Sequence, residues 1–237
     1  MSRKLLWSLS LLLVIQLSGC KSLATDDLSP YPAVEEEQNL FITSHIYMTD
    51  EGYSLELNDK DALQNGIELA ALKDARNKVT EANKFLFDYL NSISANDSIY
   101  LLIPQSHIKG LPDKRLIPCT EDSTTTVRSS AHPKVDYVCK GGFRVTTTIN
   151  GSPASGSGTM PPGTTEIRYS TGTTCIGGGY GGVIVASGVT KRFAGGFFNP
   201  TSGSISPGMD EGICSATIYS TGCNAFVSVC FWVPEGN

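Results

Sequence analysis

Three histidines, His45, His107 and His132, are the chain's only imidazoles and the natural starting point for proton-transfer chemistry. No GxSxG, HExxH or SxxK motif accompanies them. His45 and His107 fall near the ends of predicted strands, where an incidental surface histidine is expected. His132-Pro133 lies in a Ser/Thr-rich stretch with Glu121 and Asp122 upstream, the one place where a hydrolytic Ser/His/acid set could be assembled. No catalytic residue and no cofactor is expected. Asn58-Asp59-Lys60-Asp61 followed by Asn65-Gly66 supplies oxygen donors, but Leu63 occupies a ligand position of the calcium-loop spacing, and helix capping explains the same groups. Asp210-Glu211-Gly212 reads as a turn. No CxxC pair occurs, so no metal site is expected. In Gly177-Gly178-Gly179-Tyr180-Gly181-Gly182 no helix pattern follows the glycines, which excludes a phosphate cradle. The run reads instead as a bent strand connection, or as a loop presenting Tyr180. With Phe197, Phe198 and Trp232, Tyr180 forms the candidate binding set, aromatics suited to stacking on sugar or anchoring a protein partner.

Cys20 belongs to a different chemistry. Arg3 and Lys4 precede the apolar run Leu5–Ile15, which closes on Leu17-Ser18-Gly19-Cys20. A basic flank, a short apolar core and small residues before the break mark a cleaved secretory signal. Leu17–Cys20 resembles the lipobox of bacterial lipoproteins. The resemblance covers residues 1–22 and implies cleavage after Gly19, acylation of Cys20 and attachment to the lipid bilayer of the cell envelope. In those families Asp directly after the lipidated Cys favours the inner membrane; Lys21 stands here, implying the outer membrane. More than one acyl chain gives stable anchoring.

Six further cysteines, Cys119, Cys139, Cys175, Cys214, Cys223 and Cys230, all follow residue 118 and read as three disulfides of an exported domain. Residues 21–113 carry 16 acidic and 7 basic side chains, whereas residues 114–237 carry 7 and 9. Neither part is basic enough for a nucleic-acid partner. These shifts predict a signal peptide over 1–19, a lipidated acidic tether over 20–40, an α+β unit over 41–113 and a Gly/Ser/Thr-rich β domain over 114–237.

The elements follow from periodicity. Phe41–Met48 and Tyr53–Leu57 read as strands joined by a turn at Asp50-Glu51-Gly52. Leu63, Ile67, Ala71, Ala75, Val79, Ala82, Leu86, Leu90 and Ile93 form one helical stripe, capped by Asn58 or Asp59 and weakened at Gly66. Ser98–Ile103 is a buried strand ended by Pro104. The fold class is α+β: a small β-β-α-β unit followed by a disulfide-stapled antiparallel β domain, sandwich or barrel-like. Gly141-Gly142 predicts a hairpin, 150–165 a polar loop without core residues, and Thr221-Gly222 a final two-residue turn. That last turn would place Cys214 and Cys223 about 20 Å apart along the strands and turn Cys214 and Cys230 to opposite faces. Each of these three would then bridge to one of Cys119, Cys139 and Cys175, leaving six pairings. The expected function is that of a membrane-anchored, non-enzymatic binding or assembly component of the envelope, with a protein partner favoured over glycan. The alternatives are an exported hydrolase using His132 and an inhibitor or immunity-type lipoprotein.

Overall fold

The computed structural model describes residues 33–118, 137–148, 152–173, 178–198 and 201–235. Helix α1 (Ala33–Thr43) takes up the Glu35-Glu36-Glu37 run, so residues 33–40 of the expected flexible tether are helical. Ile42 closes a small core with Leu57, Ala62, Ile67, Leu72 and Ala75, which is why Phe41 and Ile42 finish a helix and do not begin a strand. Strands β1 (Ile46–Thr49) and β2 (Gly52–Leu55) pair antiparallel around the expected turn. Helix α2 (Asp59–Gln64) is capped by Asn58, whose Oδ1 accepts from the Asp61 amide at 2.9 Å. Gly66, at φ +73°, then breaks the helical run before α3 (Leu69–Ser92). Ala75, Val79, Ala82, Leu86 and Leu90 are buried as the stripe requires, whereas Leu63 lies ahead of the break and is 58% exposed.

Two sheets follow. Strands β3 (Ile99–Leu102), β4 (Leu116–Pro118), β6 (Ala154–Met160), β8 (Gly179–Ala186), β9 (Val189–Gly196) and β11 (Gly212–Ser220) make a six-stranded sheet of order β4-β3-β9-β8-β11-β6. Strands β5 (Tyr137–Thr146), β7 (Glu166–Thr173), β10 (Thr201–Ile205) and β12 (Ala225–Pro234) make an antiparallel sheet of order β10-β7-β12-β5. The inward faces share one core that includes Tyr169, Tyr180, Ile184, Phe193, Ile218, Val227 and Phe231. This is the expected α+β class with a sandwich-like β part.

Several expectations are corrected. Strand β5 runs straight through Gly141-Gly142: a Cβ at Gly142 would strike the Val229 carbonyl, and the register with β12 shifts between Cys230 and Trp232, so the glycines mark a bulge and not a turn. Residues 150–165 are not wholly loop, because β6 lies within them and buries Met160. Strands β11 and β12 belong to different sheets, so the 221–224 connection crosses the sandwich and the expected final hairpin does not exist. Nor do 41–113 and 114–237 separate. Strand β3 pairs parallel with β9, and residues 37–237 form one compact unit.

Helix α3 lies on the outer face of the six-stranded sheet over the glycines of β8. Cβ atoms at Gly179 and Gly181 would stand 2.8 Å from Phe85 and 3.0 Å from Tyr89, both on α3. The bare strand therefore lets two aromatic rings of the helix sit almost on the backbone. The Tyr89 hydroxyl donates to the Gly182 carbonyl at 3.1 Å. With β1 and β2, α3 encloses a second core containing Ile46, Met48, Tyr53, Leu86, Leu101 and Phe197.

Candidate functional site

Strand β12 alternates without exception. Ala225, Val227, Val229, Phe231 and Val233 are buried in the sandwich, while Phe226, Ser228, Cys230, Trp232 and Pro234 point outward and stay part-exposed. Because β12 lies between β7 and β5, these outward residues run down the centre of the sheet's open face. Cross-strand register sets Arg144 opposite Ser228 and Arg168 opposite Cys230. Each guanidinium then reaches one step diagonally along the strand: Arg144 lies 3.9 Å from the Phe226 ring centroid and Arg168 3.8 Å from that of Trp232. The Arg168 Nε also donates to Glu166 Oε2 at 3.0 Å. Arg144 has no carboxylate partner among the described residues. Between the two pairs the Cys139–Cys230 disulfide ties β5 to β12, with Cα atoms 5.8 Å apart, and Tyr137 at the start of β5 is 46% exposed.

This arrangement suits anion recognition. A guanidinium stacked on a ring is held in place while its in-plane N–H groups stay free for a carboxylate or phosphate. The same stacking takes one face of each ring, which subtracts from what a sugar could use.

Of the expected aromatic set, Trp232 alone stands on this face. Tyr180 lies in β8, fully buried, with its hydroxyl 2.8 Å from Thr171 Oγ1; the glycines around it serve helix packing and do not present it. Phe197 and Phe198 are 5% and 6% exposed. They tuck under the β1–β2 hairpin, Phe197 edge-on to Tyr53 and Phe198 against His107. Burial pushes the Tyr53 hydroxyl well above the ordinary tyrosine range. Arg144, Arg168 and Phe226 were missed as site residues, although strict alternation over 225–234 marks Phe226 and Trp232 as sharing one face.

The cysteines divide. Cys230 pairs with Cys139, within the expected set although the hairpin argument behind it fails. Cys223 is disulfide-bonded. Cys214 is free, which corrects the expectation of three bridges involving it. Its position on β11 faces the sandwich core, and burial there pushes its thiol up to about 11. Cys20, Cys119 and Cys175 lie outside the described residues.

The histidines have structural partners. His45 Nδ1 lies 2.8 Å from the Phe41 carbonyl, and His107 Nδ1 lies 2.8 Å from the Ile46 carbonyl with its ring stacked on Tyr47. His132 lies outside the described residues. Among the described residues no cluster of three His, Cys, Asp or Glu side chains could hold a metal, and no helix is long and apolar enough to cross a membrane. No protein-family model, no curated protein and no solved structure matches the chain.

Proposed function

We propose that the chain is a lipid-anchored component of the bacterial envelope, held at Cys20, that binds a protein partner through the outer face of its four-stranded sheet without catalysing a reaction. The observation that carries the binding part is the pairing of Arg144 with Phe226 and of Arg168 with Trp232 on an open, disulfide-braced face. Tryptophan and arginine are enriched among residues that dominate protein–protein affinity, and the free in-plane donors of Arg144 favour a carboxylate-bearing partner over a neutral glycan. The anchor part is supported by the signal-like run and Leu17–Cys20, with Lys21 favouring the outer membrane.

The test uses the chain in its own envelope. A photo-crosslinking amino acid at Ser228 is expected to give a discrete protein adduct in the membrane fraction, lost with Arg144→Glu or Trp232→Ala. An adduct insensitive to both changes would remove the face from the function. Cys20→Ala is expected to release the chain from membranes or leave its precursor uncleaved; normal processing with unchanged membrane fractionation would refute the anchor. Replacing His45, His107 and His132 by Gln should leave adduct formation intact.

A further inference from the structure

The Cys139–Cys230 disulfide differs from the other described cysteines in being reachable from solvent. Cys139 is exposed on β5, the edge strand of the four-stranded sheet, and Cys230 is part-exposed on the open face. Cys223, also disulfide-bonded, is 2% exposed, and the free Cys214 is fully buried. Neither Cys139 nor Cys230 belongs to the sandwich core. The bridge also stands where the strand ladder is broken. Cys230 pairs in register with Gly142 and Trp232 with Cys139, so three steps along β5 match two along β12, and the disulfide spans that bulge. On one side of it β5 is paired to β12 through five residues, 142–146; on the other only Tyr137, Val138 and Cys139 are paired. An exposed disulfide that joins two strands without entering the core can be attacked by a thiolate while the rest of the fold stays closed.

We propose that Cys139 is a site of thiol–disulfide exchange with a small external thiol, and that the exchange loosens the start of β5. The incoming thiolate attacks Cys139 Sγ and forms a new S–S bond there. The bond to Cys230 breaks, and its electron pair leaves on Cys230 as a thiolate that takes up a proton from water. One disulfide replaces another and one thiol replaces another, so the step has no net oxidation or reduction. Cys139 is the sulfur attacked because it is the more exposed and lies on an edge strand, whereas Cys230 is enclosed between β5 and β7. Cys139 stands opposite Trp232, so the group added there lies beside that ring, on the face where Arg168 is stacked. The exchange stands on exposure and register alone; its consequence, obstruction of partner binding, rests on the function proposed above.

The test treats the folded full chain with reduced glutathione, blocks free thiols with iodoacetamide at intervals and maps the peptides. The expected product carries glutathione on Cys139 and the alkyl group on Cys230, formed about tenfold or more faster than the Cys223 bridge opens. Cys214 should stay unalkylated, which reports a closed core. Urea below the unfolding transition should change the rate by less than about twofold, since the attack exposes little new surface. In the adduct, amide exchange should rise at 137–139 and stay unchanged at 142–146. No adduct at millimolar glutathione, glutathione on Cys230 instead, or opening that rises with urea together with Cys214 alkylation overturns the proposal. The consequence is read from the photo-crosslink at Ser228. Glutathione should abolish it in the parent and leave it intact in a Cys139→Ser, Cys230→Ser variant; a crosslink that persists in the parent adduct refutes obstruction. A chain that gives no crosslink even untreated removes the partner-binding reading, while the Cys139 mapping still decides the exchange.

Discussion

At the scale of single residues, environment outweighs type. Cys214 and Cys230 lie on neighbouring strands in sequence, yet Cys230 faces outward within reach of Cys139 while Cys214 faces the core between Ala186 and Gly158 on flanking strands. The Cys214 thiol, with its pKa raised to about 11 by burial, should resist alkylation in the folded protein at neutral pH and react once the chain is unfolded. Peptide mapping after iodoacetamide treatment, with and without denaturant, checks this at the Cys214 peptide. Asp113 offers a pH counterpart. Arg115 donates to it from Nε at 3.0 Å, from Nη2 at 2.7 Å and from its own amide at 2.8 Å, and these bonds hold the carboxyl near 2, below its ordinary 3.8. A depressed carboxylate pKa stabilises the fold above the ordinary value and loses that contribution as pH falls through the folded one. Asp113→Asn should therefore lower the Tm near neutrality, with the gap to the parent closing as pH falls from about 4 to about 2. Thermal melts across that range test it. A parallel offset at every pH would show that the pair does not act through charge.

At the scale of elements, periodicity was informative and small residues were not. The 3.6-residue stripe of α3 and the Asn58 cap were legible because apolar spacing and capping chemistry act locally. The fate of the glycines was not. Gly-Gly at 141–142 carries the signal of a turn, but the chain uses it to pass the Val229 carbonyl without leaving the strand; the stretch 178–182 has the composition of a loop, and its Gly179 and Gly181 serve as the floor under Phe85 and Tyr89. Whether a glycine bends the chain or makes room for a neighbour depends on residues distant in sequence. Gly181→Val tests the second role. Its side chain must displace Tyr89, so a loss of about 1–3 kcal/mol is expected, measured by denaturant unfolding. Val183→Gly, two positions along the same strand where the sheet is less covered, should cost less.

For the whole molecule, the division suggested by charge and cysteine content does not survive the topology. Strand β3 from the acidic half pairs with β9 from the cysteine-rich half, and Leu102 reaches into the sandwich core. Reducing the Cys139–Cys230 bridge, which spans 91 residues, is expected to cost about 2–5 kcal/mol and to lower a single transition in which α3 and both sheets melt together. Helix-sensitive circular dichroism and tryptophan fluorescence should give coincident curves. Separated curves would restore two domains. Parallel pairing between distant segments leaves no local trace in sequence, which is why this level was the least legible. The face bearing Trp232 was only half readable for the same reason: alternation along β12 marks the aromatics, but the arginines come from flanking strands.

The position of β12 also bears on how the molecule comes into being. Strand β12 is the second from the edge of its sheet, inserted between β5 and β7, which both precede it in sequence, so those two strands stay unjoined until residues 225–234 are available. A polypeptide emerging N-terminus first, from a ribosome or a translocation pore, must wait with an incomplete small sheet and an open core until residues 225–234 arrive. Closure then joins segments far apart along the chain, the arrangement that makes folding slow. Completion of the shared core is thus timed by the order in which the strands are spelled.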